Sequence, residues 1–380
     1  MPLLDEKCDF WLLSLVIALS LLLLPGCTGS RNASSQPTTA TPKPPFGIER
    51  LATVEAPPGP IGSVVTWEHW VVWVGAAKPG DDTNQVLVHD LDTKVTRVVA
   101  RTRFGAEGTI PRVRAGRDTV VYVDLDRIAS DDNPRTKWHM YALSLSTGEE
   151  RLLGSSTNRA EEEDPSRPSV AWPWVVWFQA TGDEHGNVSV RSYDLRDGRY
   201  RTLVDATFAG QLSIDDTTGL VHYDTDNGSG GRDVYAVPAD GSAPPKRMTT
   251  SGLADFPIAR NGGLVWQQPP NGDSDSLWYK PVRGGKPQQF SKRSKDSDAG
   301  NNAFPGRGFV LWSGGSQLTI TDPSGGKPSV VLQARGSLRD LVHLDTGARW
   351  WVEGDRVAWA MMDGYGREAQ STVHVVVIRA

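Results

Sequence analysis

One short pattern of apolar positions keeps returning along this chain: a β-branched pair that runs into an aromatic residue. It reads "WVVWV" at Trp70, "TVVYV" at Thr119, "WVVWF" at Trp174, "LVHYD" at Leu220, "GLVWQ" at Gly263, "FVLWS" at Phe309 and "RVAWA" at Arg356. Runs rich in Val, Ile and aromatic residues predict strands. The aligned aromatics are Trp73, Tyr122, Trp177, Tyr223, Trp266, Trp312 and Trp359, separated by 43 to 55 residues. That spacing is the period of propeller blades. After each of the first six copies come a strand, a tight turn and another strand, as in "HMYALSLSTGEERLLG" and "DVYAVPADGSAPPKRMT". The turns carry Thr-Gly, Asp-Gly or Gly-Gly pairs, the composition that short hairpins require. A further short strand, often opened by Pro, precedes each aromatic copy: "IPRVRAG", "RPSVAWP", "DFPIARN". Four strands make an antiparallel blade, and seven blades make an all-β, seven-bladed β-propeller.

The last unit tests that reading. Its final run, "STVHVVVIRA" from Ser371 to Ala380, is a strand, but the turn and fourth strand that end the other units do not follow it. At the other end "GIERLATV", Gly47 to Val54, precedes the first blade and matches the fourth-strand text "GEERLLGS". The prediction is that the N-terminal strand pairs with the C-terminal one. Closure of that kind removes an exposed sheet edge and joins the two ends of the ring.

Ahead of the repeats lies a different composition. Phe10 to Leu24 is an apolar run of signal-peptide length that leads into Leu24-Pro25-Gly26-Cys27. Those four residues resemble the bacterial lipobox, and the resemblance implies cleavage before Cys27 with a lipid on its sulfur. Residues 1–26 are then a signal peptide, 27–45 a lipidated cysteine with a disordered Pro-, Ser- and Thr-rich tether, and 46–380 the propeller. An uncleaved N-terminal anchor is the alternative. Either way the expected location is extracytoplasmic and membrane-anchored, at the cell surface or in the periplasm. The chain has two cysteines, Cys8 and Cys27, so the propeller has no cysteine of its own and must be held by packing alone.

The blades resemble the TolB-type, WD40-like (PD40) propeller repeat of bacterial envelope proteins. "RDVYAVPADGSAPPKRMTTS" carries the resemblance most closely, with its strand, Asp-Gly turn and Met-Thr strand. The family's Ser-Pro-Asp-Gly turn is replaced here by turns such as Ala115-Gly116-Arg117-Asp118. The resemblance implies the fold; the α/β domain that accompanies the propeller in TolB itself has no counterpart in this sequence.

Candidate chemistry is sparse in the linear text. A Gly-x-Ser-x-Gly elbow, His-Glu-x-x-His and a P-loop are all missing, and seven histidines are scattered singly. His89, His222 and His374 fall within predicted strands, where a hydrogen-bonded structural role is expected. Most tryptophans occupy the repeating strand position and are expected to fill space between blades; Trp278 and the pair Trp350-Trp351 are the expected exposed ones. The formal net charge of −5 is mild and no basic cluster stands out, which argues against nucleic acid.

The remaining signal is acidic. Asp82, Asp126, Asp131, Asp132, Asp183, Asp224, Asp226, Asp273 and Asp275 all fall in the expected connections between second and third strands, and so form a candidate ligand-binding face. The stretch "DTDNGSGGRDVY" begins like a calcium loop but has Tyr235 where a bidentate Glu should close it, so turn-forming Asp and Asn is the preferred reading. No catalytic residue, metal or other cofactor is called for. The expected function is that of a monomeric, lipid-anchored binding or scaffold module for an envelope protein, peptide or glycan. A lyase- or glycosidase-type enzyme, with its site assembled from several blades, is the alternative.

Overall fold

A computed structural model describes residues 46–379, apart from 58, 79–80, 106–107, 127–136, 157–166, 182–186, 207–209, 269–275, 293–302, 315–316, 324–328, 334–349 and 364–369. The described strands, numbered β1 to β28 in chain order, form seven four-stranded antiparallel sheets. In blade 1 the order is β2 (Ile61–Trp67), β3 (Trp70–Gly75), β4 (Gln85–Asp90) and β5 (Thr96–Arg101). Blades 2 to 6 repeat it, each opening on a short first strand: β6 (Thr109–Gly116), β10 (Ser169–Ala171), β14 (Leu212–Ile214), β18 (Asp255–Arg260) and β22 (Ala303–Gly306). These strands, with β26 (Trp350–Glu353), touch one another in sequence, and β26 touches β2. The seven first strands therefore form a closed ring about a central channel.

Blade 7 is composite, as the two ends of the sequence predict. Its order is β1 (Gly47–Glu55), β28 (Gln370–Arg379), β27 (Arg356–Asp363), β26. β1 runs antiparallel to β28 from the Gly47–Arg379 pair to the Glu55–Thr372 pair, with a bulge between Arg50 and Ala52. Fourth strands elsewhere pair with the same irregularity, at Val86/Leu87, Met140/Tyr141, Val190/Arg191, Leu277/Trp278 and Leu318/Thr319. β1 is thus a fourth strand in geometry as well as in sequence. Phe46, buried just before it, packs edge-on to Phe309 of blade 6 at 6.4 Å, and the exposed Arg379 reaches Glu49 at 3.3 Å.

The repeating aromatic does what its period implies. Trp73, Tyr122, Trp177, Tyr223, Trp266 and Trp359 are all buried, and Trp312 is half-buried. Each of the six buried rings belongs to an apolar cluster shared with the preceding blade: Trp177 with Val121, Val123 and Trp138, Tyr223 with Val176 and Phe178, and Trp73 across the seam with Ala358, Val373 and Val375. Within several blades the same ring also meets its third-strand partner, as in Tyr122 on Tyr141 (5.4 Å), Tyr223 on Tyr235 (5.9 Å) and Trp266 on Trp278 (6.3 Å). Buried serines add polar stitches between neighbours. Ser63 Oγ donates to the Val113 carbonyl, Ser213 Oγ to that of Pro257, and Ser371 Oγ to that of Gly59.

The turns follow the chemistry that tight hairpins demand. Asn261 and Gly262 both take positive φ (52° and 75°) between β18 and its partner, and Gly148, Gly198 and Gly241 do so in third-to-fourth turns. These connections are short. Those joining second to third strands, and blade to blade, emerge together at the other end of the ring, which follows from antiparallel order.

Candidate functional site

Serines of the first strands bond across to neighbouring blades, whereas larger buried polar and aromatic side chains of three first strands come together. β6 supplies Arg112 and Arg114, β18 supplies Arg260, and β26 supplies Trp351 and Glu353. All five are buried, Arg260 to 2% exposure. Arg167, from the segment before β10, joins them. A cavity of about 40 Å³ lies among Arg114, Arg167, Ser169, Ser213, Arg260 and Trp351. Roughly three waters, or one small oxyanion, would fill that space. Among the described residues that line it are three arginines and no carboxylate.

The arginines are held in place. Arg114 Nη1 donates to Ser63 Oγ (3.1 Å) and to the Val113 carbonyl (2.8 Å). Arg260 Nη2 is ion-paired to Glu353, at the ends of their strands, while its buried Nε has no hydrogen-bond partner. Both guanidiniums lie over the Trp351 ring, 4.6 Å and 4.5 Å from its centroid, and the indole Nε1 is also buried without a partner. Burial pulls Arg114 down to about 9, helped by repulsion from Arg167, Arg112 and Arg260. Burial pulls Arg260 down to about 10, against the attraction of Asp216 and Asp215. Both stay cationic at neutral pH. The cluster is therefore a group of cations at a cavity whose described lining holds no carboxylate, an arrangement suited to a negatively charged group.

No protein-family model matches the chain, and no curated protein matches it in sequence. Solved structures do match in fold. An oligogalacturonate lyase in complex with manganese is 11% identical, over 86% of this chain and 92% of that one, with a TM-score of 0.56. A prolyl endopeptidase is 11% identical, over 85% of this chain and 46% of that one, with a TM-score of 0.55. TolB from Acinetobacter baumannii is 15% identical, over 69% of this chain and 62% of that one, with a TM-score of 0.43. This chain thus spans less than two thirds of TolB and of the endopeptidase. What the first two share with it is the propeller.

The described members of the acidic set, Asp82, Asp126, Asp224 and Asp226, do not line this cavity. Asp131, Asp132, Asp183, Asp273 and Asp275 lie outside the described residues, as does Cys27. Asp82 is exposed; Asp126 accepts the Lys137 N–H (2.9 Å) and Asp226 the Gly228 N–H (2.8 Å), as turn-forming aspartates do. Asp224 corrects the expectation of a loop position. It lies within β15 (Leu220–Asp226), fully buried, where Oδ1 accepts the Gln211 N–H at 2.7 Å and burial raises its carboxyl above the usual range. A side chain on Gly210 would press to within 2.7 Å of that carboxylate, so the Gly210–Asp224 contact is structural. In the calcium-like stretch the polar side chains bond to one another and to the backbone. Asn227 Oδ1 accepts from Ser229, and Asp233 accepts from Asn227, Thr249 and Arg247.

Two strand histidines are bonded as expected, His89 to Thr96 Oγ1 at 2.9 Å and His374 to Thr53 Oγ1 at 3.3 Å, with His374 also stacked on Trp359 at 5.3 Å; His222 departs from the expectation, being fully buried with neither ring nitrogen hydrogen-bonded. The expected exposure of Trp351 is overturned, because β26 turns it into the channel; Trp278 is half-buried, stacked on Trp266. The channel arginines were the residues that sequence reasoning missed. A signal for them exists: "PRVRAG", "IARN" and "WVEG" each place a charge one or two residues before the turn of an otherwise apolar first strand.

Proposed function

We propose that this protein is a lipid-anchored, extracytoplasmic propeller that works by binding, and that its central channel receives an anionic group of an envelope protein, peptide or glycan. The observation that carries the proposal is the cluster of Arg114, Arg167 and Arg260 around a cavity with Trp351 in its wall. Guanidiniums bind carboxylate, sulfate and phosphate well, yet are poor general acids or bases at neutral pH. Glu353, the carboxylate that touches the cluster among the described residues, is ion-paired to Arg260. Lipidation at Cys27 and export remain part of the proposal on the strength of the lipobox-like Leu24-Pro25-Gly26-Cys27 and the preceding apolar run.

A lyase-type enzyme is the second reading. What favours it is that the cluster is assembled from blades 2, 3, 5 and 7, as a multi-blade site requires, and that an oligogalacturonate lyase shares the fold over most of both chains. The two readings separate in one experiment. The full-length chain in nonionic detergent is used as bait for envelope extract and, separately, incubated with acidic oligosaccharides. Binding predicts retention of a ligand whose mass is unchanged. Time-dependent accumulation of unsaturated cleavage products would replace the binding reading with the enzymatic one.

A further inference from the structure

We infer that the channel cavity holds a single small oxyanion, of the phosphate or sulfate class, clamped between Arg114 of blade 2, Arg167 of blade 3 and Arg260 of blade 5. The inference rests on the binding reading of the channel and names its ligand chemistry. Size sets the first limit, because about 40 Å³ seats one such group. Hydrogen bonding sets the second. Three guanidiniums, donors with no acceptor capacity, line the cavity, and its described lining includes no carboxylate; an oxyanion is acceptor-rich on every side and matches that lining.

Charge sets the third limit. Arg114 is buried, and the hydrogen bonds at its Nη1 go to neutral oxygens of Ser63 and Val113. Glu353 is bound to Arg260 rather than to Arg114. A divalent anion gains more from three converging guanidiniums than a carboxylate does. Because those guanidiniums belong to three blades that are not all neighbours, occupancy ties the ring together across the channel. Anion binding and ring stability are then linked, since a ligand of the folded state alone stabilises it.

Calorimetric titration of the full-length chain in detergent, prepared free of oxyanions and held at constant ionic strength, tests this directly. The probes are inorganic phosphate, sulfate, glycerol phosphate and acetate. Saturable binding of phosphate and sulfate, with acetate weaker, is the expected result. Binding of glycerol phosphate as well assigns the site to a group carried on a larger molecule, and its exclusion assigns it to the free ion. Arg114→Met is expected to weaken phosphate by about tenfold or more while circular dichroism shows it folded. Absence of saturable binding of every probe to the unaltered chain, or wild-type affinity in folded Arg114→Met, overturns the inference. A chain that captures its envelope ligand yet binds none of the four probes refutes the oxyanion and leaves the binding function standing. Oxyanion binding with no envelope ligand does the reverse.

Discussion

At the scale of single residues the chain keeps two kinds of buried charge. Asp233 is structural: Arg247, Asn227, Thr249 and the Gly252 N–H surround it, and these bonds hold its carboxyl below the ordinary range despite burial. Arg114 is different, being repelled by three other arginines. Replacing a poorly compensated buried charge with an apolar residue of similar length often leaves stability unchanged or raises it. Arg114→Met is therefore expected to hold the melting temperature or raise it by about 2–4 °C in oxyanion-free buffer. Calorimetric melting of both forms checks this, and a drop of similar size would mean that Arg114 serves the fold. His222 supplies a pH dependence. Burial lowers it to about 4, against the attraction of Asp215, so folding keeps the ring neutral while the unfolded chain takes up a proton near its ordinary value of 6.5. The contribution is fully present above 6.5 and is lost as pH falls from there to about 4, by about 3 kcal/mol in all. Denaturant titrations at several pH values should show this slope in the wild type and a shallower one in His222→Gln. Equal slopes would contradict it.

At the scale of elements the account turns on β1. Phe46 and Val54 are buried at the seam, and β1 covers the edge of β28 along nearly its whole length. Burying two such side chains is worth about 3–5 kcal/mol, before any backbone pairing is counted. Removal of residues 1–44 should leave melting nearly unchanged, whereas removal through Glu55 should lower it by about 5–10 °C or drive aggregation. Identical melting of the two truncations would show that β1 contributes nothing to closure. This element was legible in the sequence because its text repeats that of another fourth strand. Arg112, Arg114 and Arg260 were not legible as a site. They lie up to 148 residues apart, and only ring closure brings them to one axis. Trp351 misled for a related reason, since a tryptophan beside another tryptophan says nothing about which face of a first strand meets the channel. Asp224 misled because an Asp near the end of a strand reads like the start of a loop.

At the scale of the whole molecule the described residues of the ring present two features, an arginine cluster at the channel and an end from which the longer connections emerge. The N-terminal tether is expected to hold this ring at a membrane. Cys27→Ala should release the protein from the membrane fraction or leave the precursor uncut, as read by fractionation and intact mass. Normal processing and membrane retention of that variant would remove the lipoprotein reading. The central claim is that ligand capture belongs to the channel and not to the acidic loops. It is tested most directly by comparing envelope-ligand capture by three full-length proteins: the wild type, Arg114→Met, and the triple variant Asp82→Lys, Asp126→Lys, Asp226→Lys. The three aspartates are exposed or half-buried, two in connections and Asp226 at the end of β15, and their replacement costs little stability. The account predicts that Arg114→Met loses capture by about tenfold or more while the triple variant retains it. Capture that survives Arg114→Met and disappears in the triple variant would contradict the account and return the site to the acidic loops.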